Sequence, residues 1–287
     1  MKVTVLEPYG YCAGVNLAIN LAIKTKQENS SNNVVVLGML VHNSNTLETL
    51  EKHGIKTIFK KDSSLDELID EIKEPSIVIL TAHGHSKAIE EKLSKNGHKI
   101  VDATCPFVKK SMQEINNEIS KENDVFYIGV KNHPEANASL SLGSKVHFID
   151  VKNPIIPEID NDSPTVISQT TLSASEVSLI YENISLKYKN AKFIKGICNA
   201  STLRQDAILK IDNDVDKIYV VGGLNSNNSK TLFELAKKHY PNISVELIQN
   251  ADDIKEKDLL GLSHIAISSG ASTPKEVIEQ IKAKLLN

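Results

Sequence analysis

Short apolar runs alternate with amphipathic segments along this chain, and the same order of segments occurs three times. Each copy opens with an extended stretch, at residues 3–6, 99–103 or 192–194, and a helical pattern follows it. A strand rich in β-branched and aromatic residues then ends in glycine, at residues 34–38, 125–129 and 218–222. The starts of these three strands are 91 and 93 residues apart. The pattern predicts one α/β unit used three times.

Three further segments complete each copy after an intervening helical stretch. The short strands are predicted at residues 55–58, 145–149 and 244–248, and strands with polar ends at 76–83, 165–171 and 264–272. The long amphipathic helices are predicted at residues 86–97, 173–188 and 273–286. The last helix has Thr273 as a candidate N-cap and Pro274 at its first position. No strand follows it, so we expect the N-terminal strand to complete the third unit.

Alternation of strands and helices at this spacing indicates an α/β protein with mainly parallel sheets and helices packed on their faces. We expect three similar units in a pseudo-three-fold arrangement around a central cleft. The units are residues 13–104, residues 105–197, and residues 1–12 together with 198–287. No linker rich in Pro, Gly or Ser separates them. Ligands of such sheets bind beyond the carboxyl ends of the strands, so these ends are where a site is predicted.

The composition excludes several functional classes. Of the 287 residues, 40% are hydrophobic and 24% are charged, which is typical of a globular protein. A formal net charge of −3 disfavours a nucleic-acid partner. No apolar run reaches the roughly 18–20 residues that a membrane span needs, and the N-terminus leads directly into a strand without a signal-peptide pattern. We therefore expect a cytoplasmic protein without disulfides, a membrane partner or a nucleic-acid partner.

The three cysteines lie at equivalent places in the three copies. Cys12, Cys105 and Cys198 are separated by two intervals of 93 residues, and each lies between a predicted strand and a predicted helix. A helix N-terminus lowers the pKa of a thiol and favours the thiolate, which is a ligand for zinc or for iron–sulfur clusters. Paired C-x2-C ligands of structural zinc are absent from the sequence, and three thiolates leave one iron of a [4Fe–4S] cluster open. The alternative is three buried cysteines spaced by chance.

Polar residues follow the same strands and predict an anion site. His42, His133 and Ser226 lie 28 to 30 residues after the three cysteines, and His83 and Ser272 lie at the ends of two further strands. Imidazole, hydroxyl and amide groups at helix N-termini bind anions well. With Asn228, these side chains are expected to hold a phosphate or diphosphate without Lys or Arg. The remaining histidines are interpreted as structural: His53, His85, His98, His147, His239 and His264.

Two further residues are candidates for proton chemistry at the same strand ends. Glu135 follows His133 and Pro134, and its carboxyl group is a candidate proton donor. A surface ion pair is the alternative interpretation of Glu135. Thr170 offers a hydroxyl near the predicted mouth, although threonine at a strand end is ordinarily structural.

Ten short motifs in this order resemble the family of 4-hydroxy-3-methylbut-2-enyl diphosphate reductases, the last enzymes of the non-mevalonate isoprenoid pathway. Each motif alone is weak, and the ordered set over essentially the whole chain is specific. The motifs are GYCAGV (10–15), VHN (41–43), AHG (82–84), DATCP (102–106), HPE (133–135), SQTTLS (168–173), IC (197–198), RQ (204–205), NSNNS (225–229) and GAS (270–272).

The resemblance implies an oxygen-sensitive [4Fe–4S] cluster on Cys12, Cys105 and Cys198, with the substrate's allylic hydroxyl on the open iron. It implies reductive removal of that hydroxyl from (E)-4-hydroxy-3-methylbut-2-enyl diphosphate, giving isopentenyl and dimethylallyl diphosphates. Glu135 would supply protons and Thr170 would orient the hydroxyl. The electron donor would be a protein such as flavodoxin or ferredoxin. Thr170 is expected to bind the substrate through its hydroxyl, and the residues expected to bind it through its diphosphate are His42, His83, His133, Ser226, Asn227, Asn228 and Ser272.

The chain departs from the family pattern at three positions. The family commonly has arginine at Leu17, serine at Asn227 and an acidic residue at Gly196. These departures put in doubt a contact from the first helix and one phosphate hydroxyl. Two rival interpretations stay open, namely an enzyme similar to quinolinate synthase, which also has three cysteines on an open cluster, and a non-catalytic metal-binding or iron–sulfur redox sensor.

Overall fold

The computed structural model describes residues 1–61 and 63–286, and its strands form three parallel four-stranded sheets. The first sheet has the order β3 (Lys56–Ile58), β2 (Val34–Leu37), β4 (Ile77–Leu80) and β5 (Lys99–Asp102). The second has the order β7 (Val146–Asp150), β6 (Val125–Gly129), β8 (Thr165–Ser168) and β9 (Lys192–Ile194). The third has the order β11 (Ser244–Ile248), β10 (Lys217–Val221), β12 (His264–Ser269) and β1 (Lys2–Val5). The strand that leads to a cysteine lies at an edge in all three.

Helices connect most of these strands, as is usual for the crossovers of parallel sheets, and residues 151–164 join β7 to β8 without a helix. The helices of the first part of the chain are α1 (Ala13–Glu28), α2 (Ser44–Lys52), α3 (Leu65–Ile69), α4 (Lys87–Lys95) and α5 (Pro106–Ile119). Those of the remainder are α6 (Pro134–Leu140), α7 (Ala174–Lys187), α8 (Asn199–Ile208), α9 (Asn227–His239) and α10 (Lys275–Leu286). Two short 3₁₀ turns, Ala251–Asp253 and Glu256–Leu259, precede β12.

The central strands of the sheets are fully buried and mostly apolar, as expected for parallel sheets with helices on both faces. All four residues of β2 and of β4 are buried, as are all five of β6 and of β10. The edge strands β1, β5 and β9 carry exposed or half-buried residues. Burial of the central strands therefore fixes the frame from whose carboxyl ends the candidate site residues project.

The chain divides into two compact units. The first unit contains Met1–Asn16, Val41–Thr49 and Asn199–Asn287, and with them the third sheet. The second unit contains Leu17–Leu40 and Leu50–Cys198, and with them the first and second sheets. The three-unit boundaries at 104/105 and 197/198 and the pseudo-three-fold arrangement stay predictions.

The predicted α/β class with parallel sheets is confirmed, and the element ends differ by a few residues. The strand predicted at 76–83 ends at Leu80, because the residues after it leave the sheet to form the turns of the candidate site. Helix α10 begins at Lys275, so Pro274 lies just before it. Helix α3, with a capping box between Ser64 and Glu67, was not expected. Within the described residues, no helix combines the length and apolar character that crossing a bilayer requires.

Candidate active site

Each cysteine lies in a turn between the end of an edge strand and the start of a helix. Cys12 lies directly before α1, Cys105 is the N-cap residue of α5, and Cys198 lies directly before α8. All three are half-buried and free of disulfide bonds. Each thiol is thus placed near a helix N-terminus, where unpaired N–H groups favour negative charge.

The same main-chain hydrogen bond holds each of these turns. The backbone N–H of the cysteine donates to a carbonyl that lies two residues beyond the end of the neighbouring strand. The pairs are Cys12 to Ala271 at 2.9 Å, Cys105 to Ala82 at 3.0 Å, and Cys198 to Thr170 at 3.0 Å. The repeat seen in the sequence therefore extends to the bonding of each cysteine turn.

The donor chemistry of the three turns fits an iron–sulfur cluster. Three reduced, half-buried thiols are soft ligands, and the chain has no fourth cysteine. Among residues 1–61 and 63–286, no three His, Cys, Asp or Glu side chains are gathered closely enough to hold a single metal ion. Ligands to separate irons of a cluster lie further apart than ligands to one ion, and the cluster stays a proposal.

Glu135 is a buried carboxyl group in the second unit. It is 2% exposed, which contradicts the alternative that it forms a surface ion pair. Thr170 donates to both of its oxygens, from the backbone N–H to Oε1 and from Oγ1 to Oε2, each at 2.8 Å. The hydroxyl of Tyr127 donates to Oε1 at 3.3 Å. Burial raises the pKa of Glu135 to about 7, although these hydrogen bonds lower it. The carboxyl group is suited to proton transfer near neutral pH.

Thr170 connects this carboxyl group to a cysteine turn. Its hydroxyl and N–H bind Glu135, while its carbonyl accepts the N–H of Cys198. Thr170 therefore holds both the Glu135 carboxyl group and the Cys198 turn. Its position at a strand end alone does not indicate either role.

His133 lies beside Glu135 in the second unit, and His83 lies beside His133. Nδ1 of His133 accepts the backbone N–H of Glu135 at 3.2 Å and so caps α6. The ring of His83 meets the ring of His133 edge-on, with centroids 5.7 Å apart. Both rings are half-buried. The structure brings these two predicted anion-binding residues together with the candidate proton donor.

His42 belongs to the first unit, where its main chain is held close to Gly223. A Cβ added to Gly223 would lie 2.1 Å from the His42 carbonyl oxygen, so the turn after β10 requires glycine here. Burial, and then the charge of Lys230, lower the pKa of His42. Lys230 on α9 is therefore a nearby cation, whereas the sequence predicted an anion site without lysine.

The other candidate anion ligands of the first unit differ in how they are bonded. Ser226 caps α9 and accepts the N–H of Ser229 at 3.3 Å. Asn228 accepts the N–H of Ala271 at 2.9 Å and donates to Ser201 at 3.1 Å, so its amide also supports the Cys12 turn. Asn227 is half-buried at the start of α9.

Ser272 follows the carbonyl that binds Cys12 and is 7% exposed. Its Oγ is buried and has no hydrogen-bond partner among the described residues. A buried hydroxyl without a partner is costly, and an anionic oxygen would satisfy it.

The sequence did not indicate that two further residues hold the candidate site in place. In the sequence, Tyr127 is typical of a core residue in an apolar strand. No spacing of residues predicts its hydrogen bond to Glu135. Arg204, noted only as part of a motif, is 3% exposed; its guanidinium donates to the carbonyls of Gly10 at 2.7 Å and Ser269 at 3.2 Å. Arg204 thus ties the loop before Cys12 to the end of β12.

Besides Asn227, two residues depart from the family pattern, and they have different structural settings. Leu17 is 56% exposed on α1, so it leaves no gap in the core. Gly196 lies against the backbone of the second sheet, where an added Cβ would be 2.0 Å from the Ser168 carbonyl oxygen. An acidic side chain therefore does not fit at position 196 in this backbone.

Gly196→Asp should destabilise the second unit, because the new Cβ must push the segment before Cys198 away from Ser168. Overpacking of this kind costs about 1–3 kcal/mol, which lowers Tm by several degrees in a chain of this size. Thermal unfolding followed by circular dichroism measures the change. Lys195→Asp adds the same acid at the exposed neighbouring position and is the control; an equal Tm for both variants would contradict the prediction.

Thiols, imidazoles and a buried carboxyl group with a pKa near 7 lie beyond the strand ends of these parallel sheets. Such an arrangement is typical of an enzyme, and a match to a family model shows which family of enzymes it is. The chain belongs to the LytB protein family, whose model matches residues 3–286.

Three comparisons with known proteins agree with this assignment. The chain is 37% identical over 281 residues to the 4-hydroxy-3-methylbut-2-enyl diphosphate reductase of Malacoplasma penetrans, covering 96% of this chain and 93% of the relative. The solved structure of the E-1-hydroxy-2-methyl-but-2-enyl-4-diphosphate reductase of Plasmodium falciparum has a TM-score of 0.87 at 28% identity, covering 100% of this chain and 88% of that one. A solved (E)-4-hydroxy-3-methyl-but-2-enyl diphosphate reductase, described as the terminal enzyme of the non-mevalonate pathway, has a TM-score of 0.67 at 29% identity, covering 100% and 99%.

Proposed function

We propose that this chain catalyses the reductive dehydroxylation of (E)-4-hydroxy-3-methylbut-2-enyl diphosphate to isopentenyl and dimethylallyl diphosphates. In this reaction two electrons and two protons break the allylic C–O bond, form a C–H bond and release water. The observation that carries the proposal is the bonding of Glu135. A buried carboxyl group with a pKa of about 7 is held by Thr170, whose carbonyl binds a cysteine turn, in a chain whose relatives are named reductases of this diphosphate.

Cys12, Cys105 and Cys198 are the proposed protein ligands of a [4Fe–4S] cluster. Such a cluster, when bound, supplies the electrons and an open iron for the allylic hydroxyl. Support comes from the equivalent bonding of the three turns and from their soft, reduced donors. A small redox protein such as flavodoxin or ferredoxin is the proposed electron donor.

The diphosphate is the proposed ligand of the polar residues beyond the strand ends. The hydroxyl of Ser272 supports this assignment best, because it is buried and has no partner among the described residues. Lys230 adds positive charge near His42. We assign the diphosphate to the same set that the sequence predicted, namely His42, His83, His133, Ser226, Asn227, Asn228 and Ser272.

Glu135 is the proposed proton donor and Thr170 the residue that orients the substrate's hydroxyl and a water. Near neutral pH a raised pKa keeps a substantial fraction of Glu135 protonated, so that it can deliver a proton where the C–O bond breaks. The diphosphate contacts fix the substrate, so its reacting carbons are already oriented for proton transfer from Glu135.

Anaerobic turnover with the diphosphate substrate tests the proposal. Anaerobically purified protein is expected to be brown and to oxidise reduced methyl viologen when the hydroxylated diphosphate is added, with both C5 diphosphates appearing as products. Isopentenyl diphosphate, which lacks the hydroxyl, is the control and should give no oxidation. Iron-loaded protein that leaves the hydroxylated substrate unchanged would overturn the proposed function and would favour a redox sensor.

A further inference from the structure

Tyr127 is a fully buried tyrosine whose side-chain hydroxyl faces the candidate proton donor. Residues Val125 and Tyr127 lie on one face of β6 and pack in a cluster that includes Ala136 and Ile167. Phe126 belongs to the cluster on the opposite face, as strand alternation requires. The ring of Tyr127 is therefore fixed by apolar contacts, and its hydroxyl lies 3.3 Å from Oε1 of Glu135.

Gly129 makes room for this ring. It lies two residues after Tyr127 on the same face of β6, and an added Cβ would be 3.0 Å from Cε1 of Tyr127 and 3.1 Å from Oε1 of Gln169. A side chain at position 129 would press on the ring from the carboxyl end of the strand. The glycine lets the tyrosine lean along the strand toward Glu135.

The donors around Glu135 favour its ionised form. An ionised carboxyl group only accepts hydrogen bonds, and three reach this one, two from Thr170 and one from Tyr127. Thr170 belongs to the proposed substrate contacts, whereas Tyr127 comes from the apolar interior of the sheet. The tyrosine is thus the one of these two donor residues that can adjust the carboxyl group without touching substrate.

We propose that Tyr127 is a positioning residue for this reaction, whose hydroxyl holds the Glu135 carboxyl group and controls how readily it keeps its proton. The inference rests on the proposed function only in treating Glu135 as the proton donor. Its structural part, the coupling between Tyr127 and Glu135, is testable without turnover.

Other titratable groups around Glu135 have a smaller part in its protonation. His133 lies on the same helix and accepts the N–H of Glu135, and His83 meets His133 edge-on. Helix α5 and strand β7 also pack against α6. Their titratable groups are Lys109, Lys110, Glu114, Glu118, His147 and Asp150. The contributions to the pKa of Glu135 are burial, which raises it, and the hydrogen bonds of Thr170 and Tyr127, which lower it.

Tyr127→Phe removes only the hydroxyl. In this variant the alkaline fall of kcat should occur at a higher pH. Without this donor the ionised carboxyl group is less stable, so Glu135 stays protonated to higher pH. A hydrogen bond to a charged group corresponds to a shift of about one pH unit, so turnover well above pH 7 should be up to about tenfold faster than in the parent. KM for the diphosphate should not change, because Tyr127 is fully buried and is not one of the proposed substrate contacts.

Infrared titration gives a readout that does not need activity. The C=O stretch of protonated Glu135, assigned by its absence in Glu135→Gln, should disappear at a pH about one unit higher in Tyr127→Phe. Site-specific 3,5-difluorotyrosine at position 127 makes the hydroxyl a stronger donor and should move the midpoint the opposite way. This second variant keeps the ring and the hydroxyl, so it serves where loss of the hydroxyl impairs folding.

Tyr219→Phe is the matched control, because it removes the hydroxyl of an equally buried strand tyrosine in the third sheet. The pH midpoint of its Glu135 C=O band and the pH at which its kcat falls should equal those of the parent. An unmoved midpoint in both position-127 variants would overturn the inference and leave Tyr127 as a core residue. A moved midpoint in protein that never reduces the diphosphate would instead overturn the proposed function and keep the coupling.

Discussion

Glu135→Gln should abolish nearly all turnover while the iron content and the binding of the diphosphate stay those of the parent. Glutamine keeps the shape of the side chain, and its amide oxygen can accept the N–H of Thr170 while its NH2 group donates to the Thr170 hydroxyl oxygen. It has no proton to give at neutral pH. General acid catalysis contributes about 10² to 10⁴-fold, and a loss of that size in kcat is expected. Steady-state kinetics with reduced methyl viologen, together with iron analysis and calorimetric binding, measures the three quantities.

The pH dependence of the parent provides the companion observation. Because the pKa of Glu135 is raised to about 7, its proton is present below that pH and lost as the pH rises through it. Activity should therefore fall on the alkaline side of about pH 7, and the small residual activity of Glu135→Gln should lack this limb. Glu182→Gln, an exposed acid on α7, is the control and should retain the full limb. Turnover of Glu135→Gln equal to that of the parent would remove Glu135 from the proton path.

Cys105→Ser should yield a protein that folds but holds little iron and has no measurable turnover. Loss of even an outer partner of a metal ligand lowers affinity about 10 to 100-fold, and loss of the ligand itself costs more. The turn itself should persist, because the N–H of residue 105 still donates to Ala82. Iron and sulfide analysis, the visible spectrum and electron paramagnetic resonance of anaerobic protein measure the loss.

Lys110→Ser on the exposed side of α5 is the control for this substitution, and it should remain brown and active. A colourless parent that contains zinc, or an active Cys105→Ser variant, would rule out the proposed cluster.

Much of the fold was predictable from the sequence because parallel sheets leave a strong pattern. The central strands contain apolar runs, and β6 and β11 occupy residues 125–129 and 244–248 as expected. The positions of the cysteines were predictable for the same reason, since each follows a strand and precedes a helix. The ends of β4, β8 and β12 were placed three residues too late, because polar strand ends and the turns that follow them look alike in sequence.

The contacts that tune the candidate site were not predictable, because they join residues far apart in the chain. The sequence around Tyr127 does not indicate that its hydroxyl binds a carboxyl group. The sequence around Gly223 does not indicate that the His42 carbonyl oxygen packs against this glycine. The binding of phosphate by Asn228 stays a prediction, and the hydrogen bonds of its amide with Ala271 and Ser201 could not be predicted from the sequence. Such effects depend on tertiary distance, which a single sequence does not contain.

The repeated bond from each cysteine N–H to a strand-end carbonyl has a consequence for how the proposed cluster would be loaded. This bond uses only main-chain atoms, so the backbone of each cysteine turn is ordered by folding of the polypeptide and not by a metal. The ordering entropy of that backbone is then lost before the proposed cluster binds, which leaves more of the binding free energy as affinity. The side chains around each turn can also differ without changing this main-chain bond. That independence lets similar backbones present imidazole at one strand end, hydroxyl at another and a carboxyl group at a third, as a substrate with unlike ends requires.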